Sequence, residues 1–217
     1  MALIETNTFD SLIQKVGNGI YSCIFNAVIL AGQNLVRGSV LGKITKGDVT
    51  ETPDSGNTGT DTFGTVTLGS SAMLGDYVVT CTTKATGASV FQVVTPKGVL
   101  LAPLTQGVAY ASSHLNGTLG TGGTDFEVGD FITISVAAGS GKFKLCDKSA
   151  VDGSADPYAV LVQDIDASEG DIENVAVYSS GGFGEDGLVF AAGTTAADMF
   201  DAMRDKGMDI VPTTEEG

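Results

Sequence analysis

The stretch from Ala150 to Asp171, AVDGSADPYAVLVQDIDASEGD, decides how the rest of this 217-residue chain is read. Val151-Asp152-Gly153-Ser154 and Asp156-Pro157 carry turn chemistry, because Gly reaches positive φ, Asp caps local amides and Pro presets φ. Tyr158-Ala159-Val160-Leu161-Val162 then runs apolar without a break. A run this short, β-branched and bounded by turn residues predicts a strand covered on both faces rather than a helix. Gln163 to Asp171 closes it as an acidic loop expected to face water.

Composition points the same way. Thirty Gly, abundant Thr and Val and no Trp describe a mainly β protein with many tight turns. The formal charge is −15, from 26 acidic and 11 basic residues. So acidic a surface repels phosphate, which argues against nucleic acid as a partner and favours solubility at high concentration. No run approaches the roughly eighteen apolar residues of a membrane helix, so no membrane partner is expected. MALIETNTFD lacks a basic region followed by an apolar core, so no signal peptide is expected and the product stays where it is made. Cys23, Cys81 and Cys146 are odd in number and widely spaced, which predicts buried reduced thiols rather than disulfides or a metal site.

Taken in order, Tyr21 to Leu30 reads as a strand, Ala31 to Asn34 as its turn and Leu35 to Val40 as a second strand, with Gly42 marking a bulge or close approach. Arg37 is expected to find an internal carboxylate, with a contact to another subunit as the sharper alternative. Thr45 to Thr62 has no periodicity and reads as a loop or linker. A second β pattern then begins, with Tyr77, Val79 and Cys81 on one face of a strand and Val90 to Val94 returning after a turn. Thr95-Pro96-Lys97-Gly98 is a turn, and Asn116-Gly117 is read as a hairpin tip. Ile132, Ile134 and Val136 share a face. Short strands at this spacing describe a small sandwich or barrel. Near the C-terminus, Thr195 with Asp198 forms a capping box for a helix carrying Ala196, Met199, Phe200 and Met203, stopped by Gly207 and followed by a short strand at Met208 and Ile210.

Catalytic signatures are weak. His114 neighbours Ser112 and Ser113, but adjacent side chains cannot form a nucleophile–base pair, and G-x-S-x-G is absent. Gly139-Ser140-Gly141-Lys142 fails as a phosphate loop, with Val136 at the first Gly position and Phe143 at the magnesium-binding hydroxyl. Asp164, Asp166 and Ser168 fail as a calcium loop because Glu169 and Val175 occupy its two critical positions. No catalytic, metal-ligating or cofactor-binding residue is assigned.

Leu35-Val36-Arg37-Gly38-Ser39-Val40-Leu41-Gly42-Lys43-Ile44, followed far downstream by the Ala150 to Ala167 motif, the helix and Gly207-Met208, resembles the head decoration proteins of tailed bacteriophages, the lambda D-like capsid cement proteins. The resemblance covers the two ends of the chain. It implies a β-rich core with one C-terminal helix, built from residues 21–45 and 142–217. Residues 46–141 would then be an inserted all-β domain, since a structureless excursion of about ninety residues is foreign to a compact fold. It also implies that residues 1–20 are an arm gripping the shell, with Ile4, Thr6, Phe9 and Leu12 as contact candidates. The implied partners are the major capsid protein and two further copies in a homotrimer. The implied place is the outer surface of the expanded head, reached after synthesis in the host cytoplasm. An alternative reading makes the inserted domain an adhesion module for host-surface or environmental glycans.

Overall fold

A computed structural model describes Leu12 and residues 23–212. The chain divides into two compact units, one formed by the residues up to Ile44 together with Gly141 onward, the other by Thr45–Ser140. It runs through β1 (Cys23–Ile29), β2 (Gln33–Leu35) and β3 (Val40–Lys43) into the second unit. That unit holds β4 (Lys46–Pro53), β5 (Thr67–Leu68), β6 (Gly75–Thr83), β7 (Val90–Val94), β8 (Leu104–Thr105), β9 (Tyr110–Ala111), β10 (Leu115–Gly117) and β11 (Phe131–Ala138). The chain returns as β12 (Phe143–Leu145), β13 (Pro157–Leu161), β14 (Ile165–Ala167), β15 (Ile172–Gly184), the helix α1 (Ala196–Arg204) and β16 (Met208–Val211). Among the described residues the protein is therefore mainly β with one α-helix near the C-terminus, the class its composition predicts.

In the first unit β1, β12, β3, β13 and β15 follow one another, and β15 pairs back onto β1, closing a ring. Closure removes the exposed edges that make open sheets prone to pairing with other chains. The long β15 makes this possible by serving three neighbours. Its first part pairs antiparallel with β1, Tyr178 and Val177 sit opposite Val160 and Leu161 of β13, and Gly181 to Gly184 run parallel to Met208 to Val211 of β16.

The ring has apolar cores on both sides. Leu41, Ala159, Leu161 and Val177 pack with Ile29 and Phe143, whereas Val40, Val160 and Tyr178 pack with Phe183, Met199, Met203 and Ile210. This accounts for the unbroken run in β13: Ala159, Val160 and Leu161 are all fully buried because successive side chains enter different cores. Tyr158 departs from the expectation and stays 41% exposed.

The two halves of the split motif meet in backbone packing. Gly42 lies so close to the turn at Ser154 that a Cβ placed on it would stand 2.0 Å from the Ser154 carbonyl oxygen. Ser154 is itself fixed, its amide at 3.0 Å and its hydroxyl at 2.6 Å both donating to Asp152 Oδ1, while Lys144 Nζ holds Asp152 Oδ2 at 2.8 Å. Burial alone raises the Asp152 carboxyl, but Lys144 and Ser154 outweigh it and hold the group below its usual range.

Several local expectations need correction. Leu35 to Val40 is not one strand: Gly38 adopts φ +87°, a conformation favouring Gly, and breaks the segment into β2 and β3. The acidic loop contains β14, which pairs with β2, and Ala167 is buried. In the second unit, Thr45 to Thr62 is not wholly a loop, because Lys46–Pro53 forms β4 along β11. Asn116-Gly117 lies within β10 rather than at a hairpin tip.

That second unit has a five-stranded sheet ordered β4, β11, β6, β7, β8 and a three-stranded sheet ordered β5, β10, β9. Tyr77, Val79, Cys81, Ile132, Ile134 and Val136 are buried as their alternation predicts. Its turn-rich stretch after Pro53 is held by Asp130, whose Oδ2 accepts amide hydrogens from Thr58, Gly59 and Glu127 at 3.0, 2.9 and 3.0 Å.

The Gly42 contact yields a direct test. Gly42→Ala is expected to cost about 3 kcal/mol or more, because backbone must move to admit the methyl group. Gly170→Ala, where nothing lies within 4 Å of the added Cβ, should be near neutral. Urea denaturation of both variants measures the difference.

Candidate functional site

Of the first twenty-two residues the structure describes Leu12. Leu12 is 1% exposed and belongs to the cluster containing Val40, Phe183, Leu188 and Met203. Its carbonyl accepts the Gly184 amide at 3.0 Å, at the end of β15. The expectation that Leu12 contacts a shell is therefore corrected: its side chain is spent on the protein's own core, where it fixes the root of the arm. Ile4, Thr6 and Phe9 lie outside the described residues.

Around that root the backbone is tightly interlocked. Gly38 is packed so closely that a Cβ would stand 1.9 Å from the Gly187 carbonyl oxygen and 3.4 Å from a Leu12 methyl carbon. The Gly38 amide donates to Leu161, the Leu161 amide to Ser39, and the Val189 amide to Gly38. The Arg37 amide donates to Asp164 Oδ1 at 2.7 Å, so the acid closing the Tyr158 run fastens the upstream motif. Two apolar side chains flank this turn while facing outward, Val36 at 49% and Val189 at 36% exposure. Two exposed valines thus flank a turn whose backbone is fixed by these bonds. Sequence reasoning missed both valines, since exposure of an isolated Val leaves no mark on local pattern.

The residues weighed for chemistry are placed in structural roles. His114 Nδ1 lies 3.0 Å from the hydroxyl of buried Tyr77, which also accepts the Met73 amide at 2.7 Å. Asp164 and Asp166 bind backbone amides, Asp166 accepting from Ser168 at 3.0 Å. Among the described residues no group of three or more His, Cys, Asp or Glu is placed to hold a metal ion.

A family model for the bacteriophage lambda head decoration protein D matches residues 5–207. The chain belongs to that family. This decoration protein is thus a component of the phage virion, a β-rich structural protein that binds the capsid. No curated protein sequence matches it. Among solved structures it is similar to FlgL of Xanthomonas campestris in two crystal forms. Both share 18% identity, with TM-scores of 0.33 and 0.32, over 47% and 54% of this chain and 33% and 41% of that protein. The flagellar hook junction protein FlgK of Burkholderia pseudomallei also shares 18% identity, over 60% of this chain and 23% of its own, with TM-score 0.32. The decoration protein therefore spans well under half the length of these flagellar proteins, and the likeness is too loose to carry an argument.

The cysteines divide by environment. Cys81 and Cys146 are buried as expected, whereas Cys23 is exposed at the start of β1. Burial, with Asp156 and Asp147 nearby, pushes the Cys146 thiol up to about 12, which keeps it protonated and inert at neutral pH. Labelling native protein with a thiol reagent should therefore modify Cys23 rapidly. Cys81 and Cys146 should react only after unfolding, as peptide mass spectrometry will read; rapid native labelling of Cys146 would contradict the burial.

The helix start is tied to the loop after β12. Thr195 Oγ1 and amide both donate to Asp198 Oδ2, at 2.7 and 2.9 Å, and Lys148 Nζ reaches Asp198 Oδ1 at 3.0 Å. The Thr195 hydroxyl, Lys148 and the Thr195 amide lower the Asp198 carboxyl to about 2. A lowered folded-state value means the ionised group favours the fold above the ordinary 3.8, and this contribution disappears as pH falls toward about 2. Asp198→Asn should therefore weaken thermal stability at neutral pH and make the loss between those two pH values shallower than in the parent, as melting curves across that range will show.

Proposed function

We propose that this decoration protein cements the head from outside, seating on the outer surface of the expanded shell where capsomers meet and bridging neighbouring major capsid protein subunits. The observation that supports it best is the root of the arm: Leu12 locked in the core, with exposed Val36 and Val189 on the adjoining turn. In this reading Ile4, Thr6 and Phe9 supply the grip. Each apolar side chain removed from water contributes about 1.5–3 kcal/mol, so a few per copy make a useful clamp. Repetition over a shell sums many clamps against the outward pressure of packaged DNA.

A composite site spanning two shell subunits exists only in the mature lattice, so affinity follows the state of the shell. Assembly as a homotrimer would place three arms around one junction and raise avidity beyond that of a single arm. The protein would be made in the host cytoplasm and added without catalysis. Residues 46–141 are, in this reading, an inserted β-domain displayed away from the shell, whose departure the ring tolerates because Ile44 and Lys142 are bonded neighbours, the Ile44 amide donating to the Lys142 carbonyl at 2.9 Å.

Deleting Met1 to Asp10 while keeping Leu12 should leave the fold intact and reduce occupancy on purified expanded shells by about tenfold or more, the equivalent of 1.4 kcal/mol. Gel quantification of bound protein and heat challenge of the particles measure it. Unchanged occupancy and heat resistance would remove the arm from the mechanism.

A further inference from the structure

In the first unit Lys142, Lys144, Lys148 and Arg204 each close on a carboxylate of their own copy. Lys43 does not. It is partly buried at the end of β3, opposite Phe143 of β12, and its ammonium lies 5.2 Å from the Tyr158 ring centre and 5.9 Å from that of Phe143. Among the described residues no carboxylate reaches it. Phe25, Phe143 and Tyr158 form one aromatic layer beneath it, their ring centres 5.8, 6.3 and 5.4 Å apart. Tyr158 enters this layer because it is the extra residue of a β-bulge between Pro157 and Ala159, which turns its ring toward the face of Ala159 while leaving it 41% exposed. An ammonium kept partly out of water over rings alone forgoes the pairing its neighbours have, in a chain with 26 acidic residues.

The complement of this patch lies at the other end of the same strand. Ser39, which precedes β3, bridges Val189. There Glu185 and Asp186 are exposed on the short turn Glu185–Gly187, next to Val189 at 36% and Val36 at 49% exposure. Among the described residues neither carboxylate meets a cation. Gly38 packs against the Gly187 carbonyl, so the acids and the valines are carried by interlocked turns. Ser39 and Lys43 are four residues apart, about 13 Å along a strand, and within one copy the acids and Lys43 do not meet.

We infer that the aromatic layer with Lys43 on one copy receives the Glu185 to Val189 turn of a second copy, Lys43 pairing with Glu185 or Asp186 and Tyr158 covering Val189 and Val36. The patches complement each other in charge and in apolar surface, and each lacks its complement within its own copy. Two unlike patches make a heterologous contact, which closes into a ring when the rotation fits, as it does for three copies related by threefold symmetry. Copies of charge −15 repel at long range, but salt screens exposed charges beyond about 8 Å and leaves the short-range pair to set the register. The inference rests on the homotrimer of the cement reading and names its contact. Because Gly38 also packs against Leu12, each contact forms beside the root of an arm and leaves Ile4, Thr6 and Phe9 to the shell.

Sedimentation equilibrium of the full chain at about 0.1 M salt, with no shell present, is the test. The parent is expected to associate. Lys43→Glu and the double variant Glu185→Lys/Asp186→Lys should each raise the dissociation constant about tenfold or more, and combining all three changes should bring it back to within about threefold of the parent. A role of Lys43 confined to its own copy predicts no such rescue. A monomeric parent, one-sided variants that associate like the parent, or a combination that stays weak would each overturn the contact. Should Lys43→Glu misfold, zero-length carbodiimide coupling of the parent decides: a mixture of light and isotope-labelled chains is expected to yield light–heavy cross-links from Lys43 to Glu185 or Asp186, and their absence overturns the proposal. Shell occupancy is measured alongside. Association with charge rescue but bare shells strikes the cement reading alone, and coated shells with association indifferent to the charge changes strike this contact alone.

Discussion

The fold depends on two backbone segments, more than a hundred residues apart in the chain, approaching within van der Waals contact. Gly42 accepts the Ser154 carbonyl where any side chain would collide with it, and Gly38 does the same for Gly187. Interactions of this kind bring little energy of their own. Their effect is geometric, because β3 can pair with both β12 and β13 only if the turn at Ser154 sits flush against it. The Asp152 hydrogen bonds and Lys144 then hold that turn in shape. Closing the ring lets Val160 and Leu161 face different cores, and the core that takes Val160 also holds Leu12 and the helix residues Met199 and Met203.

What the amino-acid pattern revealed follows from which forces leave a periodic trace. Tyr77, Val79 and Cys81, or Ile132, Ile134 and Val136, alternate because one face is buried and the other is not. The helix announced itself through Thr195 and Asp198, whose reciprocal capping bonds are present. By contrast β4, with sequence KGDVTETP, has only Val49 as an apolar side chain and is held by its backbone ladder to β11, an interaction indifferent to side-chain type. Gly38 concealed the break between β2 and β3, since the flanking Leu35, Val36 and Val40 read as one extended run until the positive φ is seen.

The candidate site was legible to a smaller degree. The resemblance drew attention to the motif around Gly38, where a Cβ would stand 3.4 Å from a Leu12 methyl carbon. The particular residues did not follow. Leu12 was expected outside and is inside; Val36, Val189 and Phe200 are outside for reasons that depend on tertiary neighbours far along the chain. An exposed apolar residue and a buried one look alike until their neighbours are known, so interaction surfaces are the part of a protein that local pattern describes least.

The rung joining Ile44 to the residues after Ser140 bears on how the ring responds to stretching. The Ile44 amide bonds the Lys142 carbonyl, and the Gly141 amide bonds the Ile44 carbonyl, both at 2.9 Å. Tension entering β3 is thereby handed across to β12 through this pair of bonds and the adjoining β3–β12 ladder, in parallel with the covalent path through nearly a hundred intervening residues. The longer path stays slack for as long as the rung holds, so the stiffness of the ring does not depend on the length of the intervening β-unit.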